Sequence, residues 1–114
     1  GAMNRNPAIC AIRNFDTRFI GFCKVAYGTD SGVSIHGTNA QEAVLMHEAG
    51  MTEMDVIVSA TVNSADLLDK TSSLGTIEVG KQADIIATDQ SPLDNIEALL
   101  SVGFVMKGGK VYKQ

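Results

Sequence analysis

The spacing of apolar and polar residues changes three times along this chain, and each change marks a change of element. Residues 4–22, "NRNPAICAIRNFDTRFIGF", mix the two without a firm period, and Pro7 discourages a helix; Ala8 to Ile12 is expected as a strand. "CKVAYGTD" is a short β-prone run that stops at Gly28, as a buried strand would. A helical period follows. Asn39 is the expected N-cap, with Glu42 completing a capping box, and Ala40, Ala43, Val44 and His47 share one face. Gly50 supplies the left-handed stop. Thr52 caps the next helix with Asp55 at its third position, and the predicted apolar face runs Met54, Ile57, Val58, Thr61, Ala65, Leu68. The two helices therefore span 39–49 and 52–68, with a sharp bend between them.

In the last third the period shortens again. Ala83 to Asp89 is expected as a strand followed by a Ser91-Pro92 turn, and "NIEALL" as a short helix or turn. "VGFVMKGGKVYK", Val102 to Lys113, predicts a β-hairpin with Gly108-Gly109 as its two-residue loop. A strand, two helices, a strand, a short helix and a hairpin place the chain in the α/β class, or α+β for a chain standing alone.

Composition narrows this picture. At 114 residues one domain is expected, and with 5% aromatics and no Trp its core falls to Ile, Val, Leu, Ala and Met. A formal net charge of −4 argues against a nucleic-acid partner. Lys107, Lys110 and Lys113 cluster near the end, where a solvated hairpin accounts for them. Cys10 and Cys23 are too few for a disulfide framework and are expected as reduced thiols. No apolar run reaches the length of a membrane span and no signal peptide is visible, so a cytoplasmic protein without membrane contact is expected. Gly1-Ala2-Met3 has the form of a tag remnant.

Three residues are candidates for chemistry. Asp30 stands just past the end of the "KVAYG" run, where α/β enzymes place working groups, with Gly28 and Gly32 allowing tight turns around it. Such a carboxylate can bind a divalent metal and accept a proton from metal-bound water. The alternative is an Asx-turn, in which it bonds nearby amides, and the local pattern by itself favours that alternative. His36 is a loop histidine, either solvated or in contact with a substrate. His47 falls on the apolar face of the first helix, the usual place of a hydrogen-bonded core histidine. Asp30, His36 and His47 could in principle supply three ligands, but no His-x-His or His-Glu-x-x-His spacing supports a self-contained site. No nucleophile elbow, phosphate loop or dinucleotide fingerprint occurs.

The linked stretches "AYGTDSG", "HGTNAQEAVLMHEAGMTEMDVIVSATVNSADLL", "LGTIEVGKQADIIATDQSPLDNI" and "VGFVMKGGKVYK" resemble, in order and spacing, the C-terminal part of metal-dependent amidohydrolases, within the imidazolonepropionase and Xaa-Pro dipeptidase group. The resemblance covers Lys24 to Lys113. It implies an eight-stranded TIM barrel carrying one or two divalent metals, often zinc, with Gly-Thr-Asp ending the eighth strand. Asp30 would then be the catalytic, metal-ligating acid and His36 a substrate-binding residue. The chain would divide into a tag remnant (1–3), a segment outside the resemblance (4–23), a barrel-derived strand and two helices (24–73), and strands of a composite β-sandwich (74–114).

Departures from the pattern shape the functional expectation. The family's first-strand His-x-His, its bridging lysine or glutamate and its later histidines all precede the Gly-Thr-Asp strand, and here no histidine precedes it. Ile35 and Val79 stand where proline is usual. The expectation is a fragment or truncated relative of an amidohydrolase that cleaves C–N bonds of amides, cyclic amides or dipeptides, inactive and metal-free when alone. The alternative is a non-catalytic oligomerising or binding module derived from the same fold. One barrel strand leaves edges unpaired, so a homo-oligomer, for instance a strand-exchanged dimer, is expected, in which residues 4–22 replace some missing partners. A third reading gathers Asp30 and His36 from several subunits into a new site.

Overall fold

The computed structural model describes residues 24–28 and 39–114 of the chain. Three short helices lead into a small antiparallel sheet: α1, Gln41–Glu48; α2, Glu53–Ala60; α3, Val62–Leu67; β1, Ile85–Thr88; a 3-10 helix, Ile96–Leu100; β2, Val102–Lys107; and β3, Lys110–Lys113.

The turn between α1 and α2 follows the sequence closely. Gly50 has φ +113°, and its amide bonds the His47 carbonyl while the Met51 amide reaches back to Met46 at 3.2 Å, the double closure of a Schellman motif. Thr52 then caps α2 by accepting the Asp55 amide at 3.1 Å. The start of α1 departs from expectation. Asn39 does not cap it with its side chain; α1 begins after Ala40, which is already in helical conformation, and Asn39 contributes its backbone carbonyl to the Glu42 amide.

The expected helix 52–68 is two helices. At Thr61 the backbone turns to φ −119°, ψ −85°, ending α2 and opening α3. The Thr61 hydroxyl donates to the Ile57 carbonyl four residues back at 2.8 Å, competing with the helical ladder, and Thr61-Val62 are adjacent β-branched residues with poor helix propensity. α3 ends on a second Schellman closure, Lys70 amide to Ala65 carbonyl, with Asp69 rather than glycine at positive φ.

The core sits where α1, α2 and the 3-10 helix meet: Ala43, Met46, Met51, Val56 and Ile96 are buried together, with Val25, Tyr27, Val44 and Leu99 packed against them. The buried side of α2 is therefore Val56 and Ser59, not the predicted stripe, of which Met54 and Leu68 are more than half exposed. Of that stripe Ala65 is buried as expected, while Ile57, Thr61 and Leu68 line a groove.

Three strands lie in the order β1-β2-β3, all antiparallel. The hairpin forms as predicted, with Gly108 and Gly109 at φ +58° and +82°, the two positive angles a tight turn between right-twisted strands requires. β1 docks on that turn through the Asp84 carboxylate, which accepts the Gly108 amide at 2.8 Å. β1 is shorter than the predicted 83–89 strand, and its pairing shifts between Ala87 and Thr88, where Gly103 of β2 is skipped.

Gly75 has a specific structural demand. Its φ is +100°, and an added Cβ would stand 2.9 Å from Ala65 Cβ and 3.3 Å from the Thr61 carbonyl oxygen. Gly80, at φ +92°, has open space around it. Gly75→Ala is expected to cost about 2–3 kcal/mol and Gly80→Ala about 1 kcal/mol, a difference readable by urea denaturation.

Candidate functional site

The break at Thr61 positions the chain that leads to Asp30. In an unbroken helix the Ser59 carbonyl would accept an amide from within the helix. Here it accepts the Tyr27 amide at 2.9 Å and the Ser64 hydroxyl at 2.7 Å. Asn63, in the first turn of α3, donates its carboxamide to the Val25 carbonyl at 2.9 Å, and Ser64 lies 3.4 Å from the Tyr27 carbonyl. Lys24 adds an ion pair with Asp66. Of the strand expected through Cys23–Asp30, residues 24–28 are described and are not paired in a sheet; their backbone partners among the described residues come from the α2–α3 junction.

Tyr27 joins this clamp to the next segment. Its hydroxyl donates to the Asn39 carbonyl, so the two flanks of residues 29–38 are tied to each other through one side chain. Burial pushes the phenol above its ordinary pKa; a bond from the Ala43 amide opposes that rise and the Glu42 carboxylate adds to it. The hydroxyl therefore remains a donor throughout the neutral range.

Asp30 and His36 both fall within 29–38 and lie outside the described residues, as do Cys10 and Cys23. His47 is described. Its Nδ1 donates to the Met51 carbonyl at 2.8 Å, and its Nε2 lies 3.5 Å from Glu53 Oε1, so the ring links the end of α1 to the first turn of α2. Among the described residues no three His, Cys, Asp or Glu side chains gather into a set able to hold a metal. The described residues by themselves do not fit a metal centre.

Tyr27, Ser59, Asn63 and Ser64 are the residues that sequence reading missed. The signal was available in "SATVNSA", where four polar side chains interrupt an apolar helical stretch.

A second feature is an open apolar groove of about 640 Å³ between α2–α3 on one side and β1 with the 74–77 connection on the other. Ile57, Leu68, Leu74, Ile77, Ile86 and Pro92 are among its walls. No helix among the described residues is long and apolar enough to cross a membrane.

Comparison with known proteins gives a consistent picture. The profile of the amidohydrolase family matches residues 2–112, a span that takes in residues 4–22 as well as the motifs from Lys24 onward. Imidazolonepropionase from Alkaliphilus oremlandii is 41% identical over 64 residues, 54% of this chain and 15% of its own length. Ochratoxinase from Aspergillus niger is 34% identical over 94 residues, 78% of this chain and 19% of its own. A crystal structure of a Xaa-Pro dipeptidase with methionine bound in its active site superposes with a TM-score of 0.82 at 44% identity, over 88% of this chain and 25% of that one. The chain spans a quarter or less of each of these relatives.

Two measurements test the clamp. Asn63→Ala leaves the half-buried Val25 carbonyl without its partner and is expected to cost about 1–3 kcal/mol in chemical denaturation. Because its folded pKa is raised, Tyr27 contributes stability that is complete below about pH 10 and is lost as pH rises through the folded value. Tyr27→Phe is expected to abolish that part of the alkaline loss of stability while leaving the neutral-pH fold intact by far-UV circular dichroism.

Proposed function

The chain belongs to the amidohydrolase family, and from that premise we propose that it supplies the acidic metal ligand, Asp30, to a hydrolase of C–N bonds. The observation that carries this reading is the held approach to Asp30: Val25 and Tyr27 are bonded to the α2–α3 junction, and Tyr27 bonds Asn39 beyond the motif. A catalytic carboxylate needs a fixed backbone beneath it, since small misplacement costs much of the rate. His36, six residues further on, is assigned to contact with substrate.

In this reading the helices α1 to α3 belong to the outer layer of a TIM barrel, and β1 to β3 to a composite β-sandwich. The substrate is a small molecule with an amide, cyclic amide or dipeptide bond, in keeping with relatives named imidazolonepropionase, ochratoxinase and Xaa-Pro dipeptidase. A divalent metal, zinc foremost, is the group this chemistry calls for. Asp30 is one ligand, and a working set needs partners that the described residues do not provide. The 114-residue chain by itself is assigned no metal and no hydrolysis, because its sequence has two histidines and no His-x-His pair to complete the set. A cytoplasmic setting agrees with only two cysteines in the sequence.

A second reading, a non-catalytic self-associating module, draws support from the sheet edges. β3 carries Lys110 and Lys113, residues that blunt edge pairing, whereas β1, Ile-Ile-Ala-Thr, carries no charge and among the described residues pairs on one side only. A homodimer formed by adding strands at β1 fits that asymmetry.

A chimera separates these readings. The part of the Xaa-Pro dipeptidase that matches residues 24–113 is replaced by residues 24–113 of this chain, and hydrolysis of a Xaa-Pro dipeptide and bound zinc are measured. The chimera is expected to hydrolyse the dipeptide, and Asp30→Asn to lower kcat by about 10²–10⁴-fold with loss of metal. A folded, active chimera indifferent to Asp30→Asn would refute the assignment.

A further inference from the structure

Tyr27 makes one bond that the fold does not need. Its amide donates to the Ser59 carbonyl, and its ring packs against the core of Ala43, Met46, Met51, Val56 and Ile96. The other polar contacts described for residues 24–28 run to the α2–α3 junction as well: Lys24 to Asp66, the Val25 carbonyl to Asn63 and the Tyr27 carbonyl to Ser64. Among the described residues the phenolic hydroxyl alone turns the other way. It donates to the Asn39 carbonyl, and the Ala43 amide reaches the same oxygen from the first turn of α1.

Neither side requires this bond in order to fold. Residues 24–28 keep their bonds to the α2–α3 junction without it, and α1 is seated by Ala43 and Met46, both buried. Asn39 is exposed, so water replaces the donor when the hydroxyl is removed. Exchanging a protein donor for water at an exposed carbonyl changes folding little.

What the hydroxyl does fix is geometry. Tyr27 and Asn39 stand at the two ends of residues 28–38, the stretch that includes Asp30 and His36. A segment pinned at both ends has fewer conformations to lose than one pinned at its start alone. Tyrosine suits the task, because its ring is rigid and has few rotatable bonds. Here the amide, the ring and the hydroxyl are each held by different partners.

The start of α1 points the same way. The helix begins after Ala40 with no side-chain cap of its own. Ala43 is its third residue, the position whose amide an N-cap oxygen ordinarily accepts. The Tyr27 oxygen serves that amide from outside the helix.

We infer that Tyr27 is a positioning residue: its hydroxyl fixes the exit of the Asp30 segment on the start of α1, and thereby the rate of the hydrolysis to which Asp30 contributes. The inference rests on the assignment of Asp30 as the catalytic acid and goes beyond it, because it makes that rate depend on a side chain acting through the backbone. Misplacement of a reacting group by about 1 Å costs up to about 10²-fold, so the effect falls on kcat.

The dipeptidase carrying residues 24–113 of this chain tests it. Tyr27→Phe is expected to lower kcat for a Xaa-Pro dipeptide by about 10–100-fold. KM and bound zinc are expected to change by less than about twofold. Gly80→Ala, which strains the fold away from this junction, is expected to keep kcat, so lost stability by itself does not imitate the effect. An unchanged kcat in Tyr27→Phe, where Asp30→Asn does lower it, overturns the inference and leaves the Asp30 assignment standing. An equal loss of kcat in Gly80→Ala overturns it too. An active chimera indifferent to Asp30→Asn overturns both.

The 114-residue chain gives a second readout that needs no turnover. In Tyr27→Phe the amide order parameters of Gly28 and Asn39 are expected to fall from the rigid value of about 0.85 toward about 0.6, with Val56 unchanged. Unchanged values at both flanks overturn the inference whatever the chimera does.

Discussion

The carbonyl of Ser59 is the contact on which the arrangement depends. It is free to serve residues 24–28 because the helix breaks two residues later, and the helix breaks because Thr61 bonds back to Ile57 next to a second β-branched residue. From that freed carbonyl come the Tyr27 amide bond and the Ser64 bridge. Ser59 can be fully buried because its own hydroxyl is satisfied by the Val56 carbonyl at 2.6 Å. Among the described residues no buried side-chain nitrogen or oxygen is left without a partner, so the polar run through an apolar junction carries no desolvation penalty for an unmet group.

The break also divides the labour of the helices. α2 turns Val56 into the core, where Met46, Met51 and Ile96 complete it, and buries Ser59 on the same helix. Its opposite side, continued by Leu68 of the α3 end, faces the groove and the sheet. A single straight helix could present the first face, but it would give up the carbonyl that holds Tyr27. The small core is thus tied to the Asp30-bearing segment through backbone bonds rather than through apolar packing alone.

Elements whose cause is local were legible in the sequence. The Gly108-Gly109 turn, the Gly50 stop and the Thr52 cap each follow from one residue's conformational preference, and each forms where expected. Asp69 performs the same closure as Gly50 but is not glycine, so nothing in its identity announced it. The Thr61 break and the true buried face of α2 depend on what packs against the helix, which periodicity does not reveal. Asn39 illustrates the same limit: its side chain suits an N-cap, yet its carbonyl is what Tyr27 uses. Family membership was legible because several motifs agree in order. Asp30 and His36 fall outside the described residues, and the bonds that hold residues 24–28 to Ser59, Asn63 and Ser64 left only the polar interruption "SATVNSA" as a trace in the sequence.

Native-state hydrogen exchange at the Tyr27 amide tests the central claim most directly. If the Ser59 carbonyl holds this segment as described, the Tyr27 amide exchanges as slowly as the Val56 amide of the α2 core, opening only with global unfolding. Exchange of Tyr27 at the rate of an unstructured amide, with Val56 still protected, would contradict the account.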